Sequence, residues 1–393
     1  MSMPPLAGIK VVALEQAVAA PLCTRHLADL GAEVVKVERS GEGDFARGYD
    51  SAVKGLASWF VWANRGKRSL TLDLKHARGQ EIAARLVAGA DVVVQNFAPG
   101  ALDRLGLGVD QLRAAHPRLV ACSITGYGED GPYRDRKAYD LLLQGETGVL
   151  SITGTPEQPV KSGISVADIA AGMYALSAIL AALYRRRETG EGAAIKVSLF
   201  DSLMEWMQPL AWQAMSEQGF RRAGERHASI VPYGPYRVAG GKRVMFAIQN
   251  EREWGRLCAD VLRRPEWTAD PRFARNELRV ANRDVLEPLI EEALAELSLE
   301  EAEARLEAAS LAFARANEAR DVLVHPQVRA RGRTQTVASP AGPVELLKAP
   351  FNIEGLIEPE TCIPAVGEHT DAVLAELGYD GEAIAALRRE GAV

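Results

Sequence analysis

One long apolar stretch, residues 161–187, restricts the possible folds of this chain more than any other segment. From Val166 onward it is rich in Ala and Leu, contains no proline and ends in three arginines. This composition predicts a helix whose negative C-terminal end the arginines complement. Because nearly all of its side chains are apolar, we expect a buried helix rather than a surface one. Three small residues would let another backbone approach closely: Gly172, Ala175 and Ala178.

A single acid, Asp168, interrupts the apolar run near its start. Ser165 and Asp168 form a Ser-x-x-Asp pair ahead of the helix, which resembles a capping box and would make the acid part of a structural helix start. Alternatively, the first turn holds a carboxylate at the positive end of the helix dipole, where it stays ionised and acts as a nucleophile. The two interpretations are compatible.

Composition limits the protein class. At 393 residues the chain is long enough for two domains, and its 47% apolar and 25% charged residues are typical of a globular protein. A net charge of −6 argues against a nucleic-acid binder. The four cysteines are far apart without a Cys-x-x-Cys pair, so neither a metal site nor a disulfide framework is predicted. No secretory segment follows Met1, and we expect a cytoplasmic protein.

The N-terminal part alternates β-branched runs with helical patterns. Strands are predicted over 9–14, 33–37, 69–74, 91–95 and 119–124, and helices over 22–30, 77–88 and 110–115. This alternation predicts an α/β fold with a doubly wound, mostly parallel sheet. Ligands bind such sheets at the carboxyl ends of the strands, which here means the loops 15–21, 38–49, 96–104 and 125–140.

The loop after the last of these strands contains Gly126-Tyr-Gly-Glu-Asp-Gly131, formally a G-x-G-x-x-G motif. A dinucleotide site also requires the third glycine to open a helix. Here Pro132 and a polar segment follow, so the glycines are expected to form tight turns near a ligand instead.

A second domain follows a shift in composition at 219–227. Two strands, 231–236 and 243–248, precede three amphipathic helices, and a Pro- and Gly-rich extended segment covers 340–364. We therefore predict three parts: the first part of a large domain over 1–220, a small α+β domain over 221–330, and a return segment with the rest of the large domain over 331–393.

Several motifs together resemble a known family. They include Leu27-Ala-Asp-Leu-Gly-Ala-Glu-Val-Val-Lys-Val-Glu38, Gln95-Asn-Phe-Ala-Pro-Gly100, Ser123-Ile-Thr-Gly-Tyr-Gly128, Ala167-Asp168, Glu188-Thr-Gly-Glu-Gly192 and Val366-Gly-Glu-His-Thr370. In this order, from about Leu6 to Leu377, they resemble the third family of CoA transferases. That family contains formyl-CoA:oxalate and carnitine CoA transferases (the CaiB/BaiF type) and related acyl-CoA racemases.

The resemblance implies a Rossmann-like large domain built from both chain ends, a small middle domain and an interlocked homodimer. It implies that coenzyme A is bound as the acyl-CoA substrate and that Asp168 is the catalytic residue. Eight residues would bind the cofactor: Ala17, Val18, Arg39, Asn96, Phe97, Gly100, Arg104 and Lys137. Arg and Lys in strand-end loops suit the phosphates of CoA.

The resemblance also implies covalent catalysis through an aspartyl anhydride and an aspartyl-CoA thioester. The alternative is a 2-methylacyl-CoA racemase, which in this family pairs the aspartate with a histidine. Here Tyr139 stands at that place, and a phenol is a poor base at neutral pH. The sequence therefore favours the transferase, with Tyr139 as an orienting hydroxyl.

The acceptor is expected to be a short dicarboxylic acid such as citramalate, itaconate, mesaconate or malate, with succinyl-CoA as donor. The glycine-rich loop of the formyl transferase is reduced here to Gly240-Gly241, which argues against oxalate. A second carboxylate needs a cation, for which Arg47 and Arg65 are the candidates, with His26 a weaker one.

Overall fold

The computed structural model describes residues 3–217, 219–355, 359 and 361–393. It divides into two compact units: residues 1–147, 163–207 and 327–393 form the first, and residues 148–162 and 208–326 form the second. The short segment 148–162 belongs to the second unit because Arg222 donates hydrogen bonds to the carbonyl oxygens of Ser151, Thr155 and Pro156. The domain boundaries predicted at 220 and 330 did not include the segment 148–162 in the small domain, because its sequence carries no signal of this contact.

The first unit contains a six-stranded sheet in the order β3-β2-β1-β4-β5-β6, with every neighbouring pair parallel. The strands are β1 (Lys10–Leu14), β2 (Glu33–Glu38), β3 (Lys67–Thr71), β4 (Val92–Gln95), β5 (Val120–Thr125) and β6 (Ala193–Ser198). This is the strand order of the Rossmann fold, and it reverses direction between β1 and β4. The predicted doubly wound parallel sheet is confirmed.

Helices connect and cover these strands. They are α1 (Ala19–Asp29), α2 (Ser58–Asn64), α3 (Ala77–Ala88), α4 (Val109–Ala115), α5 (Asp140–Glu146) and α7 (Val166–Thr189). Near the C-terminus come β10 (Thr334–Val337), β11 (Val344–Leu347), α14 (Thr370–Glu376) and α15 (Gly381–Arg389). Leu374 and Leu387 of the last two helices lie in one core with Leu14, Leu70 and Ile82, so both chain ends build this unit. Part of the predicted return segment, residues 356–358 and 360, lies outside the described residues.

The long helix α7 is the predicted one, but it is not buried on all sides as we expected. Gly172 packs so tightly on α1 that a Cβ there would lie 2.6 Å from the Ala19 carbonyl oxygen, which confirms the predicted close approach. On the opposite side Tyr184 is 72% exposed, so an apolar face stays uncovered in the single chain. The helix is long and apolar enough to cross a membrane, yet its packing on α1 makes it a core helix of this unit.

The second unit has its own core. Strands β7 (Tyr233–Arg237), β8 (Arg243–Ala247) and β9 (Ala312–Arg315) form an antiparallel sheet. Its helices are α6 (Val149–Ile152), α9 (Glu251–Arg256), α10 (Asn276–Ala281), α11 (Arg283–Leu294) and α12 (Leu299–Ala308). Two further helices, α8 (Leu199–Met215) and α13 (Pro326–Ala330), contain the chain positions where the units meet in sequence. The core of the second unit contains the buried side chains of Trp254, Phe273 and Leu286.

Candidate active site

The loops after β1 and β4 meet at the point where the strand order reverses. The Asn96 side chain accepts a hydrogen bond from the Gln16 N–H at 2.9 Å and donates one to the Gln16 carbonyl oxygen at 2.8 Å. Doubly wound sheets bind ligands in the crevice at this point, at the carboxyl ends of the parallel strands. The structure thus brings Asn96 together with the predicted cofactor residues Ala17 and Val18.

Ala17 has an unusual backbone conformation, with φ at 62°, the left-handed region that a non-glycine residue rarely adopts. Its N–H donates to Asp44 Oδ1 at 3.1 Å. Val18 is buried and precedes the first turn of α1. The loop is therefore held in one shape by side chains from two other loops.

Gly100, in the segment after β4, lies close to two arginines, and one of them comes from the loop after β5. Gly100 has φ at 73°, and a Cβ there would lie 3.5 Å from Arg104 Nη1 and 3.8 Å from Arg134 Nη2. Gly100 and Arg134 line a cleft of about 420 Å³ at the carboxyl ends of β4, β5 and β6. Sequence reasoning selected Gly100 and Arg104 but missed Arg134, which follows the last glycine of the Gly-Tyr-Gly-Glu-Asp-Gly segment.

The cleft also contains several acids, among them Asp103, Glu129 and Asp201, and these would repel a phosphate. Two of them are already engaged, since Lys196 pairs with Glu129 at 2.6 Å and Ser198 donates to Asp201. The third, Asp103, lies at the Gly100 end of the cleft, where its Oδ2 would be 3.8 Å from a Cβ on Gly100, so this end carries charges of both signs.

The other predicted cofactor residues are spread along the same edge of the sheet. Arg39 is 70% exposed in its side chain and lies 3.5 Å from Glu42, and Lys137 is exposed. Phe97 is partly buried against the core, and its N–H donates to Gln95 Oε1 at 2.7 Å. Among the described residues, no hydrogen bond or ion pair joins these three residues to Asp168, and their cofactor roles stay predictions.

Asp168 lies in the first turn of α7, at the carboxyl edge of the sheet. Ser165 makes no capping hydrogen bond, so the predicted capping box is wrong. Asp140 of α5 takes that place: its Oδ1 accepts from the Ala167 N–H at 2.8 Å, and its Oδ2 accepts from Gln144 at 2.7 Å. A residue distant in sequence therefore caps the helix.

The expectation that the helix dipole keeps Asp168 ionised is wrong. Burial, and then the neighbouring Asp140 carboxylate, raise the pKa of Asp168 to about 7. Desolvation and a like charge both disfavour the ionised carboxylate, and here they exceed the effect of the helix terminus. A carboxyl group that titrates near neutral pH in a partly buried site is typical of a catalytic residue.

Two tyrosines border this carboxyl group. The pKa of the Tyr49 phenol is raised to about 12 by burial and by its proximity to Asp44, Asp168 and Tyr139. Tyr49 therefore stays protonated and can donate a hydrogen bond. Tyr139 immediately precedes α5 and is 64% exposed. Sequence reasoning selected Tyr139 but missed Tyr49, because an aromatic residue in a polar loop carries no specific signal.

The profile of CoA-transferase family III matches residues 6–370. This chain belongs to CoA-transferase family III. It is 36% identical to a succinate–glutarate CoA-transferase of Agrobacterium fabrum, over 95% of this chain and 96% of that enzyme. It is 31% identical to the beta subunit of a succinyl-CoA–L-malate CoA-transferase of Chloroflexus aurantiacus, over 98% of this chain and 97% of that one.

Solved structures agree with this assignment. A CaiB/BaiF family protein from Brucella suis superposes with a TM-score of 0.83 at 37% identity, covering 95% of this chain and 99% of that chain. The protein is thus a CoA transferase whose substrates include an acyl-CoA and a carboxylic acid, as the family resemblance implied.

In this transferase both arginines that were predicted to bind the acceptor already have carboxylate partners. Arg47 forms a two-point pair with Glu38 at 2.7 and 2.9 Å and lies 3.7 Å above the Phe60 ring. Arg65 pairs with Asp29 at 2.9 and 3.0 Å and is almost fully buried. These contacts account for both residues as structural ion pairs, and their acceptor-binding role stays a prediction.

His26 does not serve as a cation. Burial and the adjacent Arg25 lower its pKa to about 4, so its ring is neutral at physiological pH. Within the described ranges no group of three or more His, Cys, Asp and Glu side chains could hold a metal ion. Gly131 is followed by turns rather than by a helix.

Proposed function

We propose that this transferase moves CoA from succinyl-CoA to a short dicarboxylic acid of four or five carbons, such as citramalate, itaconate, mesaconate, malate or glutarate. The observation that carries the mechanism is the Asp168 carboxyl group, partly buried at the start of α7 with a pKa near neutrality. The activities by which the Agrobacterium and Chloroflexus relatives are named support the donor and the acceptor class.

The first half-reaction uses Asp168 as the nucleophile. Its carboxylate oxygen attacks the thioester carbonyl of succinyl-CoA, which gives a succinyl-aspartyl anhydride and the CoA thiolate. The thiolate then attacks the aspartyl carbonyl, and succinate leaves with an oxygen that came from Asp168. The product is an aspartyl-CoA thioester, so one difficult exchange is divided into two easier steps.

The second half-reaction runs in the reverse sense. The acceptor carboxylate attacks the aspartyl-CoA carbonyl and expels the thiolate, and the thiolate attacks the acceptor carbonyl of the new anhydride. Asp168 is regenerated with one oxygen from the acceptor. In this proposal Tyr49, which stays protonated, donates a hydrogen bond to a developing oxyanion, and Tyr139 orients the acyl group.

The raised pKa of Asp168 fits this sequence of steps. A carboxylate buried without a cation is poorly solvated, and it gains from losing its charge when it forms the anhydride. Within the part of the chain that the structure describes, Asp140 is the one charged group that shifts the pKa of Asp168, and no cation does so.

The assembly we propose is the interlocked homodimer, acting in the cytoplasm. The uncovered face of α7 and the neighbouring α8 supports it: Tyr174, Tyr184 and Trp206 are exposed apolar side chains, and Trp206 donates to the Tyr174 hydroxyl at 3.1 Å. A second copy that covers this face would bury them. Sedimentation should give about twice 42.4 kDa without dissociation on dilution; a fully active monomer would contradict it.

A substrate panel tests the function. Purified protein is incubated with succinyl-CoA and each dicarboxylic acid, with oxalate and a monocarboxylic acid as controls, and the acyl-CoA products are identified by mass spectrometry. The proposal expects transfer to an acid of four or five carbons and little to oxalate. Preference for oxalate or for a monocarboxylic acid would contradict the acceptor class.

Deuterated water separates the transferase from the racemase. A racemase removes and returns the proton at carbon 2 of a 2-methylacyl-CoA, so it introduces deuterium there. The transferase has no such step and should leave carbon 2 unlabelled. Rapid deuterium incorporation without an acceptor acid would favour the racemase.

A further inference from the structure

Asp44 accepts hydrogen bonds from two different loops at the carboxyl edge of the sheet. It is 4% exposed. Its Oδ1 accepts from the Ala46 N–H at 2.9 Å, which caps a short 3₁₀ turn over Phe45–Gly48. The same oxygen accepts from the Ala17 N–H at 3.1 Å. One carboxylate oxygen thus joins the loop after β2 to the loop after β1.

A lysine from inside the sheet fixes the orientation of that carboxylate. Lys36 of β2 has no exposed side-chain surface, and its Nζ lies 2.8 Å from Asp44 Oδ2 and 3.4 Å from Glu15 Oε1. Because Oδ2 is bound to the ammonium group, Oδ1 is directed to the two amides. In a buried ion pair whose carboxylate oxygens are all hydrogen-bonded, as here, the carboxylate is held in one orientation.

The loop that Asp44 holds is fixed from the opposite side as well. Asn96 makes two hydrogen bonds to the Gln16 backbone, and Gln16 precedes Ala17. Ala17 is held at φ of 62°, a conformation that costs energy for a residue with a Cβ and persists only where its surroundings enforce it. The Asp44 and Asn96 side chains are those surroundings.

Both loops lead to the neighbourhood of Asp168. The turn Phe45–Gly48 runs directly into Tyr49, whose ring contacts Phe45 with centroids 5.7 Å apart. The loop after β1 runs into Ala19, whose carbonyl oxygen is the surface on which Gly172 of α7 packs, one helical turn after Asp168. A shift of either loop would therefore change the position of Tyr49 or of the start of α7.

We propose that Asp44, oriented by Lys36, is a positioning residue for acyl transfer, which keeps the Gln16–Val18 loop and the Phe45–Tyr49 turn in a fixed relation to Asp168. This inference rests on the proposed function of Asp168. The hydrogen bonds of Asp44 go to Ala17, Lys36 and Ala46, and none goes to Asp168. Its effect on the reaction is indirect, since misplacement of a reacting group by about 1 Å can lower a rate by about 10²-fold.

The informative variant is Asp44→Asn, which keeps the size of the side chain. Its oxygen can still accept from Ala17 and Ala46, but its amide nitrogen then faces the Lys36 ammonium group, and two donors cannot bond to each other. We expect kcat to fall at least about tenfold, with less than about a threefold change in KM for succinyl-CoA.

Asp91→Asn is the matched control. Asp91 precedes β4 at the opposite edge of the same sheet, where it also accepts one backbone N–H, from Lys10 at 2.9 Å, and pairs with one cation, Arg186 at 2.9 Å. The Asp91→Asn change should lower the melting temperature, though less than Asp44→Asn because the Asp91–Arg186 pair is more exposed, and should leave kcat within about twofold. A rate for Asp44→Asn within twofold of the parent would overturn the proposal, as would an equal rate loss in Asp91→Asn.

Two further measurements cover a failure of Asp44→Asn to fold. Asp44→Glu keeps the charge and the pair with Lys36 but moves the carboxylate, so we expect a folded protein with reduced kcat; full activity would overturn the proposal. In the unmodified protein, hydrogen exchange at the Ala17 and Ala46 amides should be slow. Exchange as fast as in an exposed loop would also overturn it, and this readout does not depend on transferase activity. Absence of CoA transfer in the unmodified protein would instead contradict the proposed function.

Discussion

Two groups of carboxylates lie at the same edge of the sheet in opposite electrostatic environments. At the strand reversal, Glu15 and Asp44 are buried with Lys36 and Lys67, so two negative charges face two positive ones. At the start of α7, Asp168 and Asp140 lie near each other, and the Asp140 carboxylate raises the pKa of Asp168 further than burial alone.

The difference shows that burial alone does not determine whether a carboxylate is reactive. Burial by itself would raise the pKa of Glu15, but Lys67 and Lys36 outweigh it and the pKa is lowered. Burial would likewise raise the pKa of Asp44, but the neighbouring Lys36 ammonium group outweighs it and the pKa is lowered. Burial and Asp140 act in the same direction on Asp168 and raise its pKa to about 7. The first group is suited to hold loops in place, and the second to form a covalent bond.

The largest effect should come from removing the reactive carboxylate. Asp168→Ala and Asp168→Asn should each lower kcat by about 10⁴-fold or more, because the nucleophile is lost and the neighbouring Asp140 carboxylate is already bonded to the Ala167 N–H and to Gln144. The measurement is steady-state transfer from succinyl-CoA, with Glu376→Gln as a control that removes only a surface ion pair with Arg68. Near-normal transfer by Asp168→Ala would contradict the assignment.

In the group at the strand reversal, where the lysines neutralise Glu15 and Asp44, a substitution should lower the free energy of unfolding rather than act first on the rate. Glu15→Gln leaves Lys67, bonded to Glu15 at 2.7 Å, without its carboxylate, and should lower the free energy of unfolding by about 3–5 kcal/mol. The double variant Glu15→Gln/Lys67→Met removes both charges and should lose less than Glu15→Gln alone. Denaturant unfolding measures this; a double variant less stable than Glu15→Gln would show that the pair contributes more than charge balance.

The pH dependence sharpens the comparison. Protonated Asp168 is not a nucleophile, so kcat/KM should fall as the pH falls through about 7. Asp140→Asn removes the like charge while its amide oxygen can still cap α7, so the acid limb should move to lower pH. A limb that stays near 7 in this variant would mean that burial alone sets the pKa.

The smallest effect concerns the stability of the reactive site. The pKa of Asp168 in the folded protein, about 7, is above that of an unfolded Asp, so the folded state holds the proton more tightly. Its contribution to stability is present at low pH and is lost as the pH rises through 7. Asp168→Asn lacks this loss and should be more stable than the parent at pH 8, on the order of 1 kcal/mol, with no gain at pH 4. Thermal unfolding at both pH values measures it.

The sheet was predictable because its strands are short β-branched runs between helical patterns, and such local signals determine secondary structure in a buried parallel sheet. Two helices that the sequence analysis did not predict, α2 and α15, were missed for different reasons. α2 is short and depends on a contact from outside the helix. α2 begins at Ser58, whose N–H and hydroxyl are bonded by Asp50 at 2.9 and 2.8 Å. α15 is different, since Asp380 caps it three residues before Ala383, a signal that the sequence does contain.

The site was predictable only in part. Motif resemblance selected Asp168, Asn96 and Gly100, and the helix pattern placed Asp168 in a first turn. The raised pKa of Asp168 could not be inferred, because it depends first on burial in the folded protein and then on Asp140, which local sequence does not pair with it. Arg47 and Arg65 were chosen as cations in suitable loops, and sequence could not show that Glu38 and Asp29 already bind them.

The most direct test is to trap the intermediate on Asp168. The protein is mixed with succinyl-CoA without acceptor and treated with borohydride, and peptides are then analysed by mass spectrometry. The account predicts reduction of the Asp168 side chain to the alcohol, dependent on succinyl-CoA. With ¹⁸O-labelled acceptor it predicts label first in Asp168 and, in later turnovers, in succinate. Transfer at the full rate with an unmodified Asp168 and no label in succinate would contradict it.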